Sequence, residues 1–94
     1  MSATPLNMVL TGCASGIGLH IADALARRGH RLILTDIDDG RLAQLATDRG
    51  WKAPRVQVRK LDVANPDDWS KVITLAVSSW GSLDVLMNIA GYIQ

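Results

Sequence analysis

Apolar and polar positions alternate along this chain between short apolar runs and longer amphipathic stretches. Met8-Val9-Leu10 is a run of strand length. Ile17, Ile21, Ala24 and Leu25 then recur at helical spacing, with Arg27 and Arg28 in the last turn and Gly29 as the stop. The spacing predicts a helix from Ile17 to Arg28. Arg31-Leu32-Ile33-Leu34-Thr35 reads as a second strand ending at Asp36. Leu42, Leu45 and Ala46 mark a second helix, capped by Asp38 or Asp39 and ended by Gly50. Val56 to Leu61 is a third strand. Asn65-Pro66-Asp67-Asp68 is a strong helix start, with a cap residue, a proline at the first position and acids in the first turn. Trp69, Val72, Ile73, Ala76 and Trp80 are expected on one face of that third helix, and Gly81 follows it. Leu83 to Ile89 is nearly all apolar, as expected of a fourth strand buried on both faces.

Strands that alternate with helices predict an α/β fold with a parallel, doubly wound sheet and right-handed crossovers. With four strands in the order 3-2-1-4 and three helices, a crevice opens between strands 1 and 4 at their carboxyl ends, where ligands bind in such sheets. The glycine-rich segment after strand 1 and Asn88 to Gly91 after strand 4 converge there. No linker, repeat or low-complexity segment interrupts residues 1–94, so they read as one domain or a piece of one.

Composition narrows the field. Hydrophobic residues make up 48% and charged residues 20%, which fits a globular chain. A net charge of +1, with scattered basic residues and an acidic cluster at Asp36, Asp38 and Asp39, argues against nucleic acid and anionic membranes as partners. The single cysteine, Cys13, excludes an internal disulfide and a cysteine-based metal cluster, and a reducing, cytoplasmic setting is the default. The first residues lack the basic and apolar regions of a signal peptide, and no apolar run approaches transmembrane length.

The chemistry concentrates in Thr11-Gly12-Cys13-Ala14-Ser15-Gly16-Ile17-Gly18. A strand, a glycine turn and a helix start in that order form a phosphate cradle. The glycines let backbone approach an anion, and the N–H groups and dipole at the helix start favour negative charge. The spacing of Gly12, Gly16 and Gly18 is G-x-x-x-G-x-G, distinct from the commoner G-x-G-x-x-G. Asp36 follows eighteen positions after Gly18, close to the spacing of a carboxylate that accepts hydrogen bonds from an adenosine ribose. Such charge-assisted bonds are worth roughly 1.5–3 kcal/mol each. The same carboxylate repels a 2′-phosphate by about 4 kcal/mol at 4 Å and an effective dielectric near 20. Ser15 and Ile37 are uncharged, and Arg41 is the nearest basic side chain. NAD is therefore expected over NADP.

These residues resemble the classical short-chain dehydrogenases/reductases, a family of Rossmann type. Thr11-Gly12-x-x-x-Gly16-Ile17-Gly18 is similar to its cofactor signature T-G-x-x-x-G-I-G. Asp36 falls where NAD-preferring members carry an acid. Asp62-Val63 looks like the pair that contacts adenine after strand 3. Asn88-Ile89-Ala90-Gly91 resembles N-N-A-G after strand 4, with Ile89 in place of the second asparagine. The resemblance implies a cofactor site made by Gly12, Ser15, Gly16, Ile17, Gly18, Asp36, Asp62, Val63, Asn88, Ala90 and Gly91, with Thr11 tying the turn to strand 4. It covers nearly all of this chain and less than half of a complete member. Members also carry a serine and a Tyr-x-x-x-Lys pair further downstream. The one tyrosine here is Tyr92, and the sequence ends at Gln94, so no catalytic residue is assigned and the 94 residues alone are expected to be inactive.

The expected role is thus the cofactor-binding part of an oxidoreductase that moves hydride between NAD(H) and an alcohol or carbonyl substrate. The rival from another class is a truncated, non-catalytic nucleotide-binding or interaction protein. Strand 4 would leave an open, apolar edge, so self-association is expected. A methyltransferase or a sugar epimerase fits the glycine spacing poorly. The start of the turn into the third helix is the alternative role for Asp62, with adenine contact the favoured one. Cys13 beside a helix start could be an activated thiol, although a small spacer in the turn is the favoured reading. His20 and His30 have no partners at metal spacing and read as surface residues. No metal site is expected.

Overall fold

Seven elements alternate in the computed structural model, which describes residues 4–90. They are β1 (Asn7–Thr11), α1 (Gly16–Arg27), β2 (Arg31–Asp36), α2 (Asp39–Arg49), β3 (Val56–Lys60), α3 (Pro66–Trp80) and β4 (Val85–Asn88). The sheet order is β3-β2-β1-β4, the predicted 3-2-1-4, and every pairing is parallel. Leu10 lies opposite Leu34 on one side and Met87 on the other, while Thr11 lies opposite Asn88. The carboxyl ends of β1, β2 and β4 therefore finish at one level.

Local signals in the sequence set the helix boundaries. Asp38 caps α2 by accepting from the Arg41 N–H, and Gly50 closes it in the left-handed conformation. Asn65 caps α3 by accepting from the Asp67 N–H, with Pro66 in its first turn and Gly81 at its end. The buried face of α1 is made of Gly18, Ala22 and Ala26, one residue every four positions. Small residues at that period let the helix lie close against the sheet.

The sheet buries both faces. On the α1 and α2 side, Met8, Leu10, Leu32, Leu34 and Val56 pack with Ala22, Ala26 and Leu42. On the α3 side, Val9, Ile33 and Leu61 pack with Val72 and Ala76. Complete burial of a leucine or isoleucine contributes about 1.5–3 kcal/mol, so the fully buried Leu10, Leu32, Ile33 and Leu34 make β1 and β2 the rigid centre of the fold.

Two expectations need correction. The fourth strand is Val85–Asn88, shorter than Leu83 to Ile89, and it is not buried on both faces: Leu86 is 47% exposed. The sheet continues from β4 only toward β1 among the described residues, which leaves Leu86 about half open. Ile73, placed with Trp69, Val72, Ala76 and Trp80, is instead an exposed residue of α3, and Leu75 takes its place beside the core. Ile73 follows Val72 by about 100° around the helix, enough to turn it off the buried stripe.

Candidate functional site

The turn between β1 and α1 is shaped by close backbone approach. A Cβ on Gly18 would lie 1.8 Å from the carbonyl oxygen of Gly12, so no side chain fits there. Gly12 has φ +70, and a Cβ on it would lie 2.9 Å from the backbone nitrogen of Ala90. The glycine positions thus bring the turn, the first residues of α1 and the exit of β4 into contact.

Side-chain and backbone hydrogen bonds hold the turn from both sides. On the β4 side, the Thr11 hydroxyl donates to Asn88 Oδ1 at 2.9 Å and accepts from the Ala90 N–H at 3.1 Å. This is the tie expected of Thr11. On the β2 side, the Cys13 N–H donates to the Thr35 carbonyl at 3.0 Å, and the Ala14 N–H donates to Asp36 Oδ2 at 2.9 Å. The other Asp36 oxygen accepts from the Asp38 N–H at 2.9 Å. Thr35 is fully buried and donates from its hydroxyl to the Leu10 carbonyl at 2.9 Å, locking β2 against β1 directly beneath the turn.

Above the turn lies a cavity of about 620 Å³ lined by Gly12, Ser15, Gly16, Ile17, Gly18, Asp36, Ile89 and Ala90. A second hollow of about 240 Å³ shares Gly12, Asp36 and Ala90 with it and adds Ile37, Leu61, Asp62 and Val63. The sequence-predicted residues Gly12, Ser15, Gly16, Ile17, Gly18, Asp36, Asp62, Val63 and Ala90 therefore gather around one continuous region at the carboxyl end of the sheet. Asn88 lines neither space; it supports the region through Thr11. Gly91 and Tyr92 lie outside the described residues. Ile89, Ile37 and Leu61 were not anticipated. Their signal is adjacency, since each is an apolar neighbour in sequence of a residue already singled out.

The three helix starts differ in charge. α2 and α3 begin with side-chain caps and carry acids in the first turn, Asp39 in one and Asp67 and Asp68 in the other. α1 has no acid in its first turn, and its N-cap Ser15 makes no side-chain cap hydrogen bond. The positive end of the α1 dipole is thus presented to the cavity without an anionic side chain of its own. Beneath it, burial pushes the Cys13 thiol from an ordinary value of 9.0 up to about 12, and the nearby Asp36 charge adds to the rise while the Thr35 backbone bond opposes it. Cys13 is a buried spacer kept protonated, not an activated nucleophile. Asp62 serves the turn into α3 as well as the hollow, because its carboxylate accepts from the Ala64 N–H at 2.9 Å. Among the described residues, no group of histidine, cysteine or acidic side chains is placed to hold a metal, and no helix is long and apolar enough to cross a membrane.

The model of the short chain dehydrogenase family matches residues 7–94. The chain is similar to a diacetyl reductase, (S)-acetoin forming, of Staphylococcus epidermidis, at 32% identity over 83 residues that cover 88% of this chain and 32% of that protein. It is also similar to 3beta-hydroxysteroid dehydrogenase 2 of Eggerthella lenta, at 34% identity and the same coverage. Among solved structures, a glucose/ribitol-type short-chain dehydrogenase/reductase from Brucella melitensis superposes with a TM-score of 0.78 at 36% identity, covering 92% of this chain and 37% of that one. A short-chain dehydrogenase/reductase from Burkholderia phymatum, solved in complex with NAD, superposes at 0.76 with 26% identity over 92% of this chain and 31% of that one. The chain belongs to the short-chain dehydrogenase family, and it spans about a third of the length of these relatives.

Proposed function

We propose that residues 1–94 form the NAD-binding half-domain of an oxidoreductase that transfers hydride between NAD(H) and an alcohol or carbonyl substrate. The observation that carries this reading is the joining of the β1–α1 turn and Asp36 on one cavity. The turn and the uncapped start of α1 suit a pyrophosphate, whose charge the backbone N–H groups and the helix dipole stabilise. Asp36 suits the adenosine ribose hydroxyls. Both of its oxygens already accept one backbone N–H, and each keeps a further lone pair for a ligand. Asp62 and Val63, with Ile37 and Leu61, suit the adenine ring in the adjoining hollow. Ile17, 63% exposed at the cavity wall, and Ala90 offer apolar contact to the remainder of the cofactor.

Bound NAD supplies the hydride acceptor and NADH the donor; this chain binds and orients them. No acid/base residue is assigned here. In the proposed oxidoreductase that role falls to a downstream serine and a Tyr-x-x-x-Lys pair; residues 1–94 hold no Tyr-x-x-x-Lys. The reading favours NAD because a 2′-phosphate would meet the Asp36 carboxylate. It also includes a cytoplasmic setting and pairing between copies along the outer edge of β4, where Leu86 is exposed.

Titration calorimetry of the 94-residue chain with NAD and NADP tests the reading. NAD is expected to bind more tightly. Asp36→Ala is expected to weaken NAD by roughly 10- to 100-fold, the equivalent of one charge-assisted bond, while NADP changes less. An unchanged ratio of the two affinities in Asp36→Ala would contradict the assignment of Asp36.

A further inference from the structure

Asp36 does more in this structure than face a ligand. Among the described residues, its carboxylate is the one side chain of β2 that accepts a backbone N–H of the phosphate turn, at Ala14, with a distance of 2.9 Å. The same residue, Ala14, is gripped at its other end by a residue from the start of α2, because Arg41 Nε donates to the Ala14 carbonyl at 3.4 Å. One position earlier, the Cys13 N–H is fixed to the Thr35 carbonyl. Asp36 is itself fixed by the Asp38 N–H, two residues along its own strand exit. The turn segment just before the cavity-lining Ser15 and Gly16 is therefore held by β2 and the first residues of α2, and Asp36 is the anionic and shorter link in that hold.

We propose that Asp36 is a positioning residue for the phosphate turn, holding the Ala14 peptide so that the start of α1 keeps its aim into the cavity before any cofactor arrives. The inference rests on the phosphate-cradle reading for its ligand and on Asp36 and Ala14 alone for its geometry. It couples the two ends of the dinucleotide site. The carboxylate that would read the ribose also sets the backbone that would hold the pyrophosphate, some residues away on another element. Arg41 acts in the same direction from the opposite end of Ala14, through a longer and weaker bond.

Charge makes this testable, because position and electrostatics predict opposite signs. Asp36 is an anion beside a site for an anion. If it acted only through charge and ribose contact, its removal would leave inorganic pyrophosphate binding unchanged or tighter. If it positions the turn, its removal weakens pyrophosphate, a ligand with no ribose to contact. The experiment is an NMR titration of the 94-residue chain, wild type and Asp36→Ala, with inorganic pyrophosphate, together with amide hydrogen exchange of both ligand-free proteins.

The expected result is an affinity for pyrophosphate about fivefold lower in Asp36→Ala, and exchange at the Ala14 amide faster by about tenfold, as loss of a charge-assisted bond implies. Asp36→Asn keeps the shape and one acceptor oxygen, so its Ala14 exchange should fall between the two; it carries the test should Asp36→Ala not fold. Pyrophosphate binding as tight as wild type or tighter in Asp36→Ala overturns the proposal, and so does unchanged Ala14 exchange in both variants. Absence of pyrophosphate binding to the wild type would instead overturn the cradle reading, while the exchange data still decide the role of Asp36 in the turn.

Discussion

β1 and β4 lie side by side in register, yet they meet very different surroundings. Val9 of β1 and Leu86 of β4 are partners across the pairing; Val9 is completely buried, whereas Leu86 is 47% exposed. β1 has a strand on each side and a helix layer on each face. β4 has β1 alone beside it among the described residues. The lesson is that hydrophobic content and burial are separate properties. Both strands are apolar, and only one has been given the neighbours that turn apolar surface into stability. The candidate site straddles this boundary. Its β2 side rests on the rigid centre of the sheet through Cys13, Ala14 and Asp36, and its β4 side hangs on the Thr11 hydroxyl and its bonds to Asn88 and Ala90.

The harshest way to break the well-supported side is Gly18→Ala. Its methyl would overlap the Gly12 carbonyl, forcing the turn and the start of α1 apart. NAD affinity should fall by roughly 100-fold or more, with a loss of stability near 3 kcal/mol. Calorimetry and urea unfolding read the two effects separately. Wild-type affinity in this variant would mean that the turn has another conformation.

The register partners sharpen the contrast directly. Val9→Ala removes packing from a filled site and should cost about 2–3 kcal/mol in urea unfolding. Leu86→Ala, the larger deletion, should cost less than about 1 kcal/mol, because nothing closes around the lost atoms. Equal costs would mean that the outer face of β4 is covered in solution, as pairing between copies would achieve.

The smallest effect concerns Cys13 on the rigid side. Its thiol is held near 12 in the folded chain against 9.0 in the ordinary state, so the unfolded form loses its proton first as pH rises. The stability contribution is complete below about pH 9 and declines as pH rises toward 12, with a slope of up to about 1.4 kcal/mol per pH unit. Between pH 8 and 10, unfolding free energy should fall by about 1.4 kcal/mol more in the wild type than in Cys13→Ala. Parallel pH profiles for the two proteins would contradict the burial of that thiol.

Much of this architecture is legible in the sequence because local signals carry it. Asn65-Pro66, Asp38 and Gly50 mark helix ends through backbone chemistry that needs no tertiary context. The residues that gather around the cavity are legible because glycine spacing and Asp36 encode a geometry, and the parallel order brings them to one level. The misreadings lie where neighbours decide. Leu83 to Ile89 has the composition of a buried strand, but composition does not say what packs against it. Ile73 is as apolar as Val72, and only the placement of α3 over Val9, Ile33 and Leu61 separates them. The bond from Ala14 to Asp36 is invisible in sequence for the same reason, since it joins residues 22 positions apart through a main-chain group.

The central claim is that one cavity at the carboxyl end of the sheet holds NAD across the β1–α1 turn and Asp36. Backbone NMR of the 94-residue chain during an NAD titration tests it most directly. Shifts are expected to concentrate at Gly12 to Gly18, Asp36, Ile37, Asp62, Val63 and Ala90, with the opposite end of the sheet at Asn7, Arg31 and Val56 unmoved. Saturating NAD with no shifts at the turn, or shifts centred on that opposite end, would contradict it.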